Sequence, residues 1–592
     1  MKKTILLLTA CLSGSLFAQE EIYKPPSDVL PNFMTEDEER IMGDYYNYYQ
    51  FGSRGIETPP PGNIRCAAEW EEVQTLVITW TGQYNTIQSQ IVDAAQEECR
   101  VLIACSDSNS VKNTLSNNGV PDVNLEFLEI PYNSIWIRDY GPNTMYTNDV
   151  DSLFVVDWIY NRPRPDDDVM PEAHAAWHNI PIYTTTQAPS DLVNTGGNWM
   201  SDGHGTAFAS ELVLDENDAG NPYFVTVKNE TDVDNIMSDF MGITRYIKMP
   251  VLPYDAIHHI DMHMKLLDEE TLLVSEYPAG VADGPQIEAN IQYVLSNFNS
   301  MFGTPYEVVR ITVPPSTGGN YPDNGGYYRT YANNVFINGT VLVPTYREEY
   351  DTTALRTLQE ALPGYNIVGI DVDNSGENLI QLSGAIHCIT HTIGVADPML
   401  ITHQPLDDTY DVSPYLVSAE VQHASGIASA TMYWSLIAGG PYTSVTMTAG
   451  SGDTWSADIP GQIAGTTVYY YVEGVANNGK TQVRPIVAPD GYWAFDVLAL
   501  NGINELSGVV LDEVFPNPAS AITCIPVTAG AATEGTITLR DITGKVVQTI
   551  HDGTIPMGDS KYFFLAHEFA SGSYLVVIET SNSTITKKVM IR

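Results

Sequence analysis

Basic residues are scarce: 27 Lys and Arg stand against 73 Asp and Glu in 592 residues, a formal charge of −46. Such a chain repels phosphate backbones, which excludes general nucleic-acid binding. The acidity suits a soluble exported protein and would also draw in cationic substrates. Cysteine is scarce too. Cys11, Cys66, Cys99, Cys105, Cys388 and Cys524 are spread over the chain with no CxxC pair, which excludes a dense disulfide framework and a cysteine zinc site. No stretch approaches the roughly 18 uninterrupted apolar residues of a membrane helix, so no transmembrane segment is expected. Core material, by contrast, is plentiful. The chain is 43 % hydrophobic and 10 % aromatic, with 34 Tyr and 16 Phe, which excludes global disorder. Its length suggests about four domains.

Residues 1–18 read as a secretory signal peptide, with Lys2 and Lys3 before the apolar Ile5 to Leu8 and a cut after Ala18. Leu8-Thr9-Ala10-Cys11 offers a second reading, a lipoprotein box, but the apolar core before Cys11 is very short. Cleavage after Ala18 leaves five cysteines, an odd number, so at least one thiol stays free. Residues 19–63, rich in Pro, Glu and Tyr, show no sustained period and read as a leader or pro-segment. From 64 to about 400, short apolar strands recur at 73–80, 101–104, 153–156, 272–274 and 341–343. Amphipathic segments at 87–95 and 287–298 sit between some of them. That alternation predicts α/β architecture. From 401 to 498 the pattern becomes alternating β with Gly/Asn turns, as expected of a small sandwich of the immunoglobulin or fibronectin type III class. A linker covers 499–511, and residues 512–592 form a last β unit.

Three polar constellations stand out in the α/β region: Ser134 to Pro142 around Asp139, Ile257 to His263 with His259 and Asp261, and Ser383 to His391 around Cys388. Each has a bland reading. Asp139 could pair with Arg138 or cap a turn, the histidines could hold a metal, and an isolated cysteine is most often apolar filler. Together with AEWE at 68–71, GGNWMSDG from Gly196 and YANN from Tyr331, they resemble the guanidino-group-modifying enzymes, in the bacterial peptidylarginine deiminase and agmatine deiminase branch. The fold this resemblance implies is a five-bladed α/β propeller (pentein) around a central site. The last segment, with Phe515-Pro516-Asn517-Pro518, the turn at Asp541 to Lys545 and the basic end, resembles the C-terminal sorting domain of the Bacteroidetes type IX secretion system. That implies export through the outer membrane, with the type IX machinery as a partner.

The resemblance implies that Asp139 and Asp261 clamp a guanidinium, whose N–H fork suits bidentate carboxylates. It assigns the nucleophile to Cys388, proton transfer to His259, an orienting role to Asn333, with its neighbour Asn334 as the competing match, and packing of the arginine stem to Trp136. His259 and Asp261 would share one face of an extended segment. His387 is read as structural, because adjacent side chains on a strand diverge. Arg162 and Arg164, in the string YNRPRP, resemble the family's clamp for the free carboxylate of a C-terminal arginine. The bland alternative is that they neutralise Asp166, Asp167 and Asp168. The implied activity is conversion of arginine in peptides and proteins to citrulline and ammonia. A small-molecule agmatine deiminase and a non-catalytic binding protein on the same scaffold are the alternatives. Asp371 to Gly376 and Asp215 to Asn221 lack a full calcium-loop pattern and read as Asx turns, so neither a metal nor another cofactor is expected.

Overall fold

The computed structural model describes residues 29–48, 54–499, 509–580 and 584–592. The signal-peptide reading and most of the linker lie outside the described residues. Contacts divide the chain into two units, one of residues 1–406, 415–459 and 468–494, the other of 407–414, 460–467 and 495–592.

In the first unit, the described residues from Ile64 to Gly394 form five small mixed sheets. Each sheet repeats one theme. An antiparallel partner borders a central strand, a helix follows, and the next strand returns parallel. Val73–Trp80 passes through helix Asn85–Ala95 to Arg100–Cys105, and the same step runs from Leu153–Tyr160 through Met170–His178 to Ile182–Thr185. Thr206–Ser210 returns through Glu230–Met241 to Arg245–Met249. Thr271–Glu276 returns through Gly284–Asn297 to Glu307–Thr312, and Thr340–Thr345 through Glu348–Ala361 to Asn366–Asp371. Parallel neighbours need such crossovers, and the central strands read as apolar runs because both faces are covered. Seven of the eight residues of Val73–Trp80 are buried. The first repeat takes its antiparallel partner from the far end, His391–Gly394, so the last strand of the set joins the first.

The same unit holds two antiparallel sheets after residue 398. Met399–Thr402, Tyr415–His423, Thr454–Ile459 and Thr448–Ala449 make one, and Ile427–Ser435 is the centre of the other. Tyr415–His423 buries every second residue, the period-two pattern of a strand covered on one face. In the second unit, residues 509–591 form a three-stranded and a four-stranded antiparallel sheet around their own core of Ile525, Val527, Ile537, Leu539, Ile578 and Val589.

The region read as an aperiodic leader contains a helix, Glu36–Tyr48. Thr35 caps it. The Glu38 N–H donates to Thr35 Oγ1 at 3.2 Å, while Glu38 Oε2 accepts from the Thr35 N–H at 2.8 Å. This capping box fixes the helix start. Met42 and Tyr46, one turn apart, bury against Ile159, Val193, Tyr223 and Val225.

Candidate active site

The five repeats place five short turns at equivalent points, each just before the antiparallel strand of its sheet. Asp139 lies in the single helical turn Ile137–Tyr140, ahead of Asn143–Thr147. Gly197 lies in Gly196–Asn198, ahead of Met200–Ser201. Asp261 lies in the 3-10 turn Ile260–Met262, with His259 at its N-cap, ahead of Met264–Leu266. Asn333 precedes Val335–Ile337, and Cys388 precedes His391–Gly394. Residues far apart in sequence thus meet in one buried cluster.

Cys388 Sγ lies 3.2 Å from Asn333 Nδ2 and 3.6 Å from Asp261 Oδ2. Asn333 Oδ1 accepts from the backbone N–H of His387 at 3.0 Å, so one amide holds both the thiol and its turn. Asn334 points elsewhere, donating to the carbonyl of Tyr331. His259 Nδ1 stands 3.5 Å from Asp139 Oδ1. Asp139, His259, Asp261, Asn333 and Cys388 are all at most 1 % exposed. Both oxygens of Asp139, Asp261 Oδ1 and both ring nitrogens of His259 are buried with no well-formed hydrogen bond among the described residues. The bare carboxylate oxygens are acceptors that a guanidinium would satisfy, and the neutral imidazole beside them offers one donor and one acceptor.

Two glycines make room. A Cβ on Gly197 would fall 2.4 Å from His259 Nδ1 and 2.9 Å from Asp139 Oδ1. On Gly384 it would fall 2.4 Å from Cζ3 of Trp136 and 3.1 Å from Cβ of Cys388, which places the indole beside the thiol.

Electrostatics separate the two carboxylates. Burial, then the charge of Asp261, pushes Asp139 up to about 7. Burial acts on Asp261 in the same sense, but the hydrogen bond and charge of His387 outweigh it and hold that carboxyl below its usual range. Burial lowers His259 to about 3, so its imidazole is neutral. Burial and the charges of Asp261 and Asp139 raise the Cys388 thiol well above its ordinary value. At neutral pH the sulfur is therefore a thiol.

Two local expectations are corrected. His259 and Asp261 do not share an extended segment, because Asp261 belongs to a 3-10 turn. Residues 386–389 form a turn rather than a strand. In that turn His387 reaches Asp261, with Nδ1 2.7 Å from Oδ2.

Arg162 and Arg164 are buried and form no ion pair with Asp166, Asp167 or Asp168 among the described residues. They hold residues 30–38, which pass over the site as a strap. Arg164 Nε donates to Glu38 Oε1 at 2.7 Å and Nη2 to the carbonyl of Pro31 at 2.7 Å. Arg162 Nε donates to the carbonyl of Asn32 at 3.1 Å, and Trp136 Nε1 to that of Leu30 at 2.9 Å. The Asn32 N–H donates to the carbonyl of Leu382, six residues before Cys388. Asp371 and Asn374 accept and close Asx turns of the kind expected at 371–376. No group of three metal-ligating side chains occurs among the described residues.

Comparison with known proteins gives this arrangement a context. Residues 65–393 match the family model for the Porphyromonas-type peptidyl-arginine deiminase, and residues 513–592 match that of the secretion system C-terminal sorting domain. A putative agmatine deiminase of Streptococcus mutans is 23 % identical over 370 residues, covering 56 % of this chain and 96 % of its own. The agmatine deiminase of Medicago truncatula is 24 % identical, covering 56 % and 97 %. Among solved structures, a putative arginine deiminase from Porphyromonas gingivalis shares 21 % identity with a TM-score of 0.47, covering 56 % of this chain and 98 % of its own. The sorting domain implies secretion across the outer membrane, and no described helix is long and apolar enough to cross one. The match spans all five turns that meet around Cys388, and the chain belongs to the Porphyromonas-type peptidyl-arginine deiminase family of guanidino-group hydrolases.

Proposed function

We propose that the chain is a secreted peptidylarginine deiminase that converts a C-terminal arginine of peptides and proteins to citrulline and ammonia. The observation that carries the substrate choice is Glu38. A carboxylate supplied by the chain already sits in the fork of Arg164, whose charge reaches Asp139, and both oxygens of Asp139 are bare. A substrate ending in arginine presents the same two groups, a guanidinium for Asp139 and Asp261 and a carboxylate for Arg162 and Arg164. Agmatine has no carboxylate and leaves the second pair unused. The five repeats of central strand, helix and parallel strand, with the first completed by the last, support a five-bladed propeller around this site. Residues 19–63 act as a pro-segment, of which the strap at 30–38 covers the clamp. Residues 401–498 form an immunoglobulin-like sandwich.

The chemistry follows from the charges. A guanidinium cannot be deprotonated, so it enters as a cation. Its charge between Asp139 and Asp261 offsets the field that keeps Cys388 protonated, and with the substrate in place the thiol proton passes to the neutral His259, leaving the thiolate. The sulfur attacks the guanidinium carbon, with Asn333 Nδ2 beside it. His259 passes a proton to the departing nitrogen, ammonia leaves, and a Cys388 thiouronium remains. His259 then takes a proton from water, hydroxide adds to the same carbon, and the C–S bond breaks to give the ureido group. Trp136 packs along the arginine stem.

A direct test offers the protein a peptide ending in arginine, its amide and agmatine, and measures citrulline, ammonia and carbamoylputrescine. Turnover of the first well above the others supports the reading. Preference for agmatine overturns it. In a chain lacking the strap, Arg164→Ala should raise KM for the carboxylate-bearing peptide by about 10- to 100-fold, the weight of a charge-assisted hydrogen bond, and leave the amide nearly unchanged.

The state of Asp139 predicts a pH dependence. The free enzyme binds a guanidinium once Asp139 is anionic, so kcat/KM should rise with pH through about 7. In Asp139→Asn that acid limb should vanish along with most of the activity. A wild-type kcat/KM that is flat between pH 5 and 8 would contradict the assignment.

A further inference from the structure

One buried chain of charges plays no part in the reaction as derived above. His387 Nδ1 is 2.7 Å from Asp261 Oδ2, and its Nε2 is 2.8 Å from Glu69 Oε2. The other oxygen of Glu69 meets Lys265 Nζ at 2.6 Å and the backbone N–H of Phe336 at 3.3 Å. Lys265 Nζ also donates to the carbonyl of Asn334 at 2.9 Å. The His387 carbonyl accepts from Arg138 Nε at 3.3 Å. His387, Lys265 and Asp261 are at most 1 % exposed.

Each ring nitrogen of His387 faces a carboxylate oxygen, so the ring is fixed from both sides. Burying paired charges such as Lys265 and Glu69 is costly unless every partner is in place, and packing alone would be met by neutral side chains. The arrangement also has a direction. Asp261 Oδ2 is occupied by His387 and approached by Cys388 Sγ, whereas Oδ1 is buried and bare.

We propose that His387 and Glu69 are positioning residues for deimination: the His387 Nδ1–H pins Asp261 Oδ2 so that Oδ1 is held out to the guanidinium, and Glu69, braced by Lys265, keeps the imidazole oriented. This rests on the reading in which Asp261 grips the substrate guanidinium. The pinned carboxylate keeps its plane while the substrate arrives, and geometry of this kind is worth large factors in rate.

The same contact explains why the two site carboxylates differ. Of the groups facing Asp261, burial keeps His259 neutral at about 3 and His263 at about 4. Asp139 and Asp255, each pushed by burial to about 7, and the Cys388 thiol supply no positive charge. Lys265 is engaged by Glu69. The cation in hydrogen-bond contact with Asp261 is His387.

The test compares His387→Asn, His387→Leu and Glu69→Gln in the full chain. It reads kcat, KM and the pH profile of kcat on a peptide ending in arginine, together with thermal melting. Asparagine keeps a donor near the Nδ1 position and loses the charge. His387→Asn is expected to lower kcat roughly 10- to 100-fold and to move the acid limb of kcat to higher pH by about one pH unit, because Asp261 then protonates more readily. His387→Leu should lose more, and Glu69→Gln should move both readouts in the same direction by less. Losses that track the melting temperature while the acid limb stays put would overturn the proposal, as would a wild-type kcat profile in His387→Asn. If the histidine variants do not fold, Glu69→Gln decides by the same two readouts: a lower kcat with a shifted acid limb supports the proposal, and a wild-type profile overturns it. A wild-type chain inactive on every guanidinium substrate would instead defeat the deiminase reading itself.

Discussion

Replacing Cys388 by alanine is expected to abolish turnover, a loss of about 10⁴-fold or more, while the protein still folds. The loss is total in kind because the reaction is split at a covalent adduct and no neighbouring group replaces the sulfur. The remaining described thiols are poor substitutes. Burial pushes Cys66 and Cys99 up to about 12 and Cys105 to about 11. Burial raises Cys524 as well; Cys66, Cys105 and Cys524 lie in strands and Cys99 directly precedes one, none of them in one of the five turns. The change in stability should be small, about 1–2 kcal/mol, since one small buried side chain is truncated and Asn333 keeps its bonds to the turn. Ammonia release and thermal melting measured on the same sample separate the two effects. Turnover above about one per cent of wild type would remove Cys388 from its role.

Removing residues 19–48 is expected to raise kcat/KM on a peptide ending in arginine by about 100-fold. With the strap present, the reacting side chains are sealed and Arg164 is already paired. Opening requires breaking the Glu38–Arg164 pair, whose side chains are 9 % and 1 % exposed. Four further hydrogen bonds, from Trp136, Arg162, Arg164 and Asn32, must break as well. Such bonds contribute about 1 kcal/mol each, partly offset by the freedom the strap regains, so a net cost on the order of 3 kcal/mol corresponds to the stated factor. A chain starting after residue 48 retains Arg54, which pairs with Asp168 and supports the loop that carries Arg164. In the full chain, Glu38→Ala should act in the same direction to a smaller extent. Equal activity of the full and shortened chains would show that the strap does not restrict access.

Much of the site is legible in the sequence because its residues sit in short, unusual strings. WIRDYGP, HHIDMH and IHC each combine a reactive side chain with apolar neighbours, and the α/β alternation places them on one scaffold. The misreadings share a cause. Strand geometry would point His387 away from Cys388 and its neighbours, whereas in a turn of four residues it reaches Asp261. The spacing of His259 and Asp261 likewise means one thing on a strand and another at the cap of a 3-10 turn. In helix Glu36–Tyr48 the buried side chains among those described are Glu38, Met42 and Tyr46, too few apolar positions to mark a stripe. Its one local signal is Thr35 followed by Glu38, the capping-box spacing. Glu69 is visible in AEWE, but its contact with His387 joins residues 318 positions apart. The closing pair of His391–Gly394 with Val73–Trp80 is equally remote. Pairings of this kind leave no periodic trace in either segment.

The central claim is that Cys388 sulfur bonds to the substrate carbon. Acid quenching during turnover of an arginine-terminated peptide, followed by digestion and mass spectrometry, tests it directly. The predicted result is a Cys388 peptide carrying the substrate less ammonia, absent when the substrate is omitted. Turnover with no adduct, or an adduct on another cysteine, would contradict the account.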